Sequence, residues 1–235
     1  SSGAAAGAVI VITVTGNVLG FWTRPAAAFI GGLVSSVIVL GLFGKLAKQS
    51  PSQMVLAGLA VSFLFLSLTY FLIFAGDQRA AHSVLFWTLG GLGLANWKVL
   101  PIALMGLISI FAFAITTHRS LDALLAGDET AVTLGVNVKL YRQVAFLICA
   151  FATASFVALS GVIGFVGLMV PHLARGLVGP LHGGLLITSA VIGAVLLLLS
   201  DIAARTLMAP QELPIGALTT SIGAIFVLYL VRRTA

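Results

Sequence analysis

The sequence predicts an all-α, polytopic membrane helical bundle, and three observations carry that reading. Of the 235 residues, 60% are hydrophobic and only 8% charged, against about 25% charged in a soluble domain. Apolar runs of roughly 17–25 residues, the length that crosses a bilayer, recur along the chain. The cations stand singly between those runs, so they read as topology anchors and not as a nucleic-acid surface. No separate soluble domain is expected, and residues 1–235 are read as one transmembrane domain.

Eight spans follow from the runs. The first covers Gly3 to Leu19, with Trp22 as an interfacial aromatic in the turn Gly20–Pro25. The second covers Ala26 to Phe43 and ends at Lys45, Lys48, Gln49, Ser50 and Pro51. The third covers Met54 to Ala75 and stops at Gly76-Asp77. Residues 77–98, rich in glycine and carrying Trp87 and Trp97, suit a short interfacial or re-entrant helix. The fourth span covers Val99 to Ile115.

Val144–Val178 is too long for one crossing: as a single helix it would extend about 52 Å, against a core of about 30 Å. Ser160-Gly161 and Gly164 mark a reversal, and Pro171 disfavours an unbroken helix. The stretch therefore divides into a fifth span, Val144–Leu159, and a sixth, about Val162–Val178. The seventh covers Leu185–Ala204 and the eighth Ile215–Val231. With this division, one side holds Lys45, Lys48, Arg119, Lys139, Arg142, Arg175, Arg232 and Arg233, and the other only Arg24, Arg79, Lys98 and Arg205. The bias places the loop His118–Arg142 and the C-terminus in the cytoplasm.

That loop is the longest polar interruption, and it holds three of the six acids, Asp122, Asp128 and Glu129. It reads as two short surface helices. Ser120 caps the first and Gly127 stops it; Asp128 caps the second and Gly135 stops it. Leu121, Leu124, Leu125 and Leu134 are left available to a soluble partner.

Chemistry-bearing patterns are scarce. No metal-ligand spacing, nucleophile elbow or phosphate-binding loop occurs. The lone Cys149 reads as a small buried hydrophobe. Asp201 and Arg205, four apart on one helix, form a pair, or Arg205 points out of the membrane toward an acidic partner. His172 beside Pro171 reads as a packed histidine. Gly58, Ser62, Phe65 and Thr69 share a helix face, as do Gly216, Thr219, Thr220 and Gly223. Such stripes mark close helix packing or a polar pathway.

Several long motifs now carry a resemblance. Leu134-Gly135-Val136-Asn137-Val138 follows Gly127-Asp128-Glu129; Gly161 to Arg175 reads GVIGFVGLMVPHLAR; Asp201-Ile202-Ala203-Ala204-Arg205 precedes Glu212-Leu213-Pro214-Ile215-Gly216. The chain resembles permease subunits of type II ABC importers for iron–siderophore complexes, haem and cobalamin. The resemblance covers essentially the whole chain and implies ten spans, eight of them present. The start at Ser1-Ser2-Gly3, with no initiating Met, is then expected to follow two missing helices.

The resemblance also implies roles. Asp122, Leu124, Leu125, Gly127, Asp128, Glu129, Leu134 and Gly135 would couple to an ATPase; Val132 stands where the family often has Arg. Arg205 would dock a periplasmic or lipid-anchored substrate-binding protein. Ser52, in the turn Ser50-Pro51-Ser52, would belong to a gate, and Ser62 and Thr69 to the pathway. Pro171, His172, Arg175 and Asp201 belong to structural motifs. The implied partners are a second permease subunit and two cytoplasmic ATP-binding subunits in a bacterial inner membrane. The chain itself would bind no metal or cofactor and catalyse nothing, ATP and Mg belonging to the ATPase. Two alternatives are a secondary transporter, which predicts acids or unwound helices at mid-membrane, and an intramembrane enzyme, which needs a nucleophile–base or acid pair there.

Overall fold

The computed structural model describes residues 1–15, 20–44, 51–76, 78–93 and 95–234. Among them the regular elements are helical: α1 Ser2–Ile10, α2 Thr23–Gly44, α3 Pro51–Ala75, α4 Gln78–Thr88, α5 Leu100–Leu125, α6 Asp128–Thr133, α7 Val138–Ser160, α8 Val166–Val178, α9 His182–Thr206 and α10 Ile215–Thr234. The predicted stops at Lys45–Ser50 and Asp77, and the end of the first span at Leu19, lie outside the described residues.

Among the described residues, six helices are long and apolar enough to cross a membrane: α2, α3, α5, α7, α9 and α10. The other two predicted spans are shorter. α1 passes into a π-helical turn at Val11–Thr15. α8 has 13 residues, about 20 Å of helix. Residues 161–165 are not helical, whereas the sequence predicts that the span begins at about Val162. The reason is backbone conformation: Gly161 has φ +68° and Phe165 φ +65°, and neither value continues a right-handed helix. Pro171 lies inside α8 without ending it, so the predicted break falls upstream of the proline.

The chain forms two compact units. The first comprises Ser1–Thr88, Leu94–Ile110 and Gln143–Val162. Its core is made of small side chains: Ala4, Ala8, Ala28, Val157 and Ala158, with Phe29, Trp87 and Val162 packed against them. Trp87 lies on α4, the short helix expected within 77–98, and is a packing residue there. A Cβ on Gly7 would collide with the Ala27 carbonyl, and one on Gly31 with the Gly3 carbonyl. α1 and α2 thus approach backbone to backbone, which only small residues allow. Phe29 meets Phe151 edge-on at 5.6 Å between centroids.

The second unit comprises Leu89–Gly93, Phe111–Arg142 and Ile163–Ala235. Here the α10 stripe has a clear role. A Cβ on Gly223 would overlap the Phe165 side chain, and one on Gly164 would sit 3.4 Å from Thr220 Oγ1. Thr219 is fully buried and donates to the Gly216 carbonyl at 3.2 Å. The stripe is a seat for the non-helical entry to α8, so close packing is its observed use. Non-helical backbone in a membrane protein needs such cover.

Substituting Leu for Gly7 is expected to lower stability by about 1–3 kcal/mol, the usual cost of overpacking. Thermal unfolding of detergent-solubilised protein would measure it. Ala at Gly41, inside α2 where a Cβ meets nothing within 4 Å, should not lower the midpoint.

Candidate functional site

The loop between α5 and α7 is a surface platform held by backbone hydrogen bonds and an ion pair. The predicted first short helix does not exist separately. α5 continues through His118, Arg119 and Ser120 to Leu125, so Ser120 caps nothing. A helix of 26 residues extends about 39 Å and outruns the hydrocarbon core. The polar residues mark where it leaves the membrane, not where it ends.

The end comes at Gly127, with φ +106°. α6 then begins at Asp128, with Gly127 and not Asp128 at the N-cap and no side-chain cap bond. Asp128 is instead free to reach sideways, and its Oδ1 accepts from Arg142 Nη2 at 2.7 Å. That ion pair ties α6 to the first turns of α7. α6 ends as predicted at Gly135, φ +83°. The Val136 N–H donates to the Ala131 carbonyl at 3.0 Å and the Gly135 N–H to Val132 at 2.9 Å. This pair of bonds is the glycine-dependent Schellman end.

Asn137 completes the turn by capping α7, its Oδ1 accepting from the Leu140 N–H at 3.1 Å. The sequence reading missed this cap, although Asn ahead of an amphipathic run is a recognised start signal. Tyr141 braces the α5–α7 junction, donating to Thr117 Oγ1 at 3.2 Å and stacking on Phe113 at 5.7 Å.

The outward face is apolar with an acidic edge. Leu125, Val132 and Leu134 are 50%, 60% and 67% exposed, and Glu129 is exposed beside them. Leu121 and Leu124 are half-buried, so they serve packing in part. Ala131 is fully buried and anchors α6 from beneath.

Asp122 faces another helix. Its Oδ1 accepts from the His182 backbone N–H at 2.8 Å, and the His182 ring Nδ1 lies 2.8 Å from the same oxygen. His182 is the first residue of α9, whose first turn has N–H groups without intrahelical partners. Asp122 thus caps α9 from 60 residues away. The contact also brings the start of α9 to the end of α5, which requires the chain to leave and return between α7 and α9. That is the reversal predicted within 144–178.

At the other end of α9, Arg205 Nε donates to Asp201 Oδ2 at 3.0 Å, and its Nη1 lies 3.7 Å from Glu212 Oε1. The Leu213 N–H returns to the Ala204 carbonyl at 3.0 Å, fixing the following loop. The Arg205 side chain is 44% exposed. Glu212 also lies against the loop that follows α4, where a Cβ on Gly93 would sit 3.1 Å from its Oε2.

The remaining site residues scatter. In the first unit a cavity of about 280 Å³ is lined by Ser2, Ser35, Ser36, Ser62, Cys149 and Thr153 among others. Ser2 Oγ donates to Ser62 Oγ at 3.3 Å. Cys149 is exposed to this space, contrary to the buried reading. Thr69 is buried and donates to the Phe65 carbonyl, and it is not among the cavity's lining residues. Ser52 is exposed on the first turn of α3. In the second unit His172 packs edge-on against Phe226 at 5.6 Å, and Arg175 is exposed near the end of α8. Among the described residues no three His, Cys, Asp or Glu side chains converge on a metal position.

Comparison with known proteins agrees with this architecture. The profile of the FecCD transport family matches residues 1–233. The chain belongs to the FecCD transport family. It is 37% identical over 236 residues to the hemin transport system permease protein HmuU of Yersinia pestis, covering 99% of this chain and 70% of that protein. It is 37% identical over 209 residues to the Fe(3+) dicitrate transport system permease protein FecD of Escherichia coli, covering 89% and 64%. A solved chain of a transporter described as of the metal-chelate ABC type, in an inward-facing conformation, superposes with TM-score 0.83 at 31% identity, covering 99% of this chain and 73% of that one. The chain spans about 59–70% of the length of such curated relatives.

Val at Gly135 is expected to strain the α6 end by about 1–2 kcal/mol, because φ > 0 is costly with a Cβ. Amide hydrogen exchange across 128–136 should accelerate about tenfold, while exchange in α10 stays unchanged.

Proposed function

We propose that this chain is the membrane-spanning permease part of an ATP-driven importer for a ferric siderophore, with haem and cobalamin as the neighbouring substrate classes. It works as a dimer in a bacterial inner membrane, coupled to two cytoplasmic ATP-binding subunits that hold ATP and Mg. A substrate-binding protein delivers the cargo from the other side. The chain supplies the passage and carries out no hydrolysis itself.

The observation that carries the proposal is the platform Leu125–Gly135. Its backbone is fixed by two positive-φ glycines and a cross-tie, yet it leaves Leu125, Val132 and Leu134 exposed. Within a family of transport permeases, an apolar face outside the membrane suits a soluble motor. Binding there biases inward- and outward-open populations to the extent that it prefers one of them. The cavity of the first unit, mainly apolar with several hydroxyls on its wall, supports a passage of weak contacts. A large polar complex passes best where contacts are many and individually weak, and Ser62 with its serine neighbours offers such contacts. Arg205, half-exposed at the opposite end of α9, is the proposed contact for an acidic group of the binding protein. Ser52 is assigned to the gate; for Thr69 a packing role is favoured over the pathway.

Asp at both Leu125 and Leu134 is expected to abolish co-purification of the ATP-binding subunits while the permease remains folded. Wild-type yield of the complex would sink the docking assignment. Gln at Arg205 removes the charge without crowding three carboxylates together. It should weaken binding-protein affinity about tenfold, roughly 1.4 kcal/mol; unchanged affinity would refute the role. Reconstituted full-length complex should take up ferric siderophore only with ATP. Uptake driven by an ion gradient without the ATPase would establish the secondary-transport alternative instead.

A further inference from the structure

We infer that α9 is the element through which outer docking at Arg205 is communicated to the ATPase platform, and that the Asp122–His182 contact is the tie that transmits it. The inference rests on the proposed function for the identity of the two partners.

Three observations carry it, all within one compact unit. First, α9 runs unbroken from His182 to Thr206, about 37 Å of continuous helix. It carries no proline and is α-helical throughout, with no π-turn to absorb a displacement. Second, its last turn holds Arg205 between Asp201 and Glu212, and the loop beyond is closed by Leu213 onto Ala204. A load on Arg205 therefore acts on the helix and not on a loose loop. Third, its first residue is held by Asp122 Oδ1 through both the backbone N–H and the ring, each at 2.8 Å. Asp122 lies one turn before the end of α5, which leads directly into Gly127 and α6.

The tie is well placed for this role. Asp122 and His182 side chains are 28% and 15% exposed, so the contact is partly shielded from water and salt. The His118 ring lies on the same side, 4.0 Å from where a Cβ on Gly183 would stand, and adds a second imidazole beside the carboxylate. The carboxylate also serves as the N-terminal cap of α9, where an anion is favoured by the helix dipole. Movement of α9 along its axis would act on the end of α5 through this contact, and α6 would follow through Gly127. Asp122 is thus a positioning residue beneath the platform, not a member of its exposed face.

The test uses His182→Pro in the full-length permease, assembled with its ATP-binding subunits and binding protein in nanodiscs. Proline is well accepted at the first helical position, and it removes both groups that contact Asp122. Leu181, with φ −68° and ψ 130°, already has the conformation a residue before proline adopts. The binding protein's stimulation of ATP hydrolysis is expected to fall about fivefold or more, the lower range of allosteric couplings. Co-purification of the ATPase, basal hydrolysis and affinity for the binding protein are expected to stay at wild-type values. Asp122→Asn, which keeps an oxygen for the His182 N–H, is expected to retain the stimulation. Wild-type stimulation in His182→Pro overturns the inference. So does loss of ATPase co-purification in that variant, which would make the contact part of docking itself. Loss in Asp122→Asn as complete as in His182→Pro overturns it as well. Failure of the underlying reading looks different: the binding protein would then fail to stimulate the wild-type complex at all.

Discussion

The absence of water in the bilayer core is the constraint on which the rest depends. Every backbone polar group there needs an internal partner, so the chain is helical wherever it crosses. Departures from helix are tolerated there where protein covers them. The clearest is 161–165, between a helix long enough to cross and one that is not. Phe165 seats in the space left by Gly223, and Gly164 lies over Thr220. The same constraint explains why the first unit is built on alanine and glycine. Apolar side chains gain little by leaving lipid for protein, so close backbone approach and its dispersion contacts must hold α1 against α2.

Much of this was legible in the sequence. Apolar run length located the six long helices found among the described residues; run length with Ser160-Gly161 and Gly164 divided α7 from α8, and the bias of cations agreed. Gly127, Gly135 and Gly161 were read as stops or turns, and each adopts positive φ. What failed has physical causes. His118, Arg119 and Ser120 looked like an interruption because polarity was read as the end of a helix; here it marks only its exit from the membrane. Asp128 was read as a cap from its residue type, but the position before it is a glycine and its carboxylate goes to Arg142. The Asp122–His182 contact joins residues 60 apart, and no local pattern announces such a partner. Cys149 lies in an apolar run, yet on the face that meets the serine-lined cavity.

Membership of the family and the geometry of this chain contribute different things. Membership gives the kind of machine. The geometry distinguishes groups that are presented from groups already engaged. Leu125, Val132 and Leu134 are presented, whereas Asp122 and Asp128 are engaged within the chain. Of the two small-residue stripes, that on α10 has Gly216, Thr219 and Gly223 buried, while Gly58 and Ser62 of α3 border open space. A residue's motif alone does not separate these cases.

The Schellman end of α6 has one more consequence. The shape of the platform is written largely in groups that face inward: two glycines, a backbone bond pair, a buried alanine and the Asp128–Arg142 cross-tie. Its three outermost side chains contribute little to that frame. Such a surface is free to drift. Leu125, Val132 and Leu134 can be exchanged without refolding the loop. The backbone geometry of this turn is kept while its exposed side chains change.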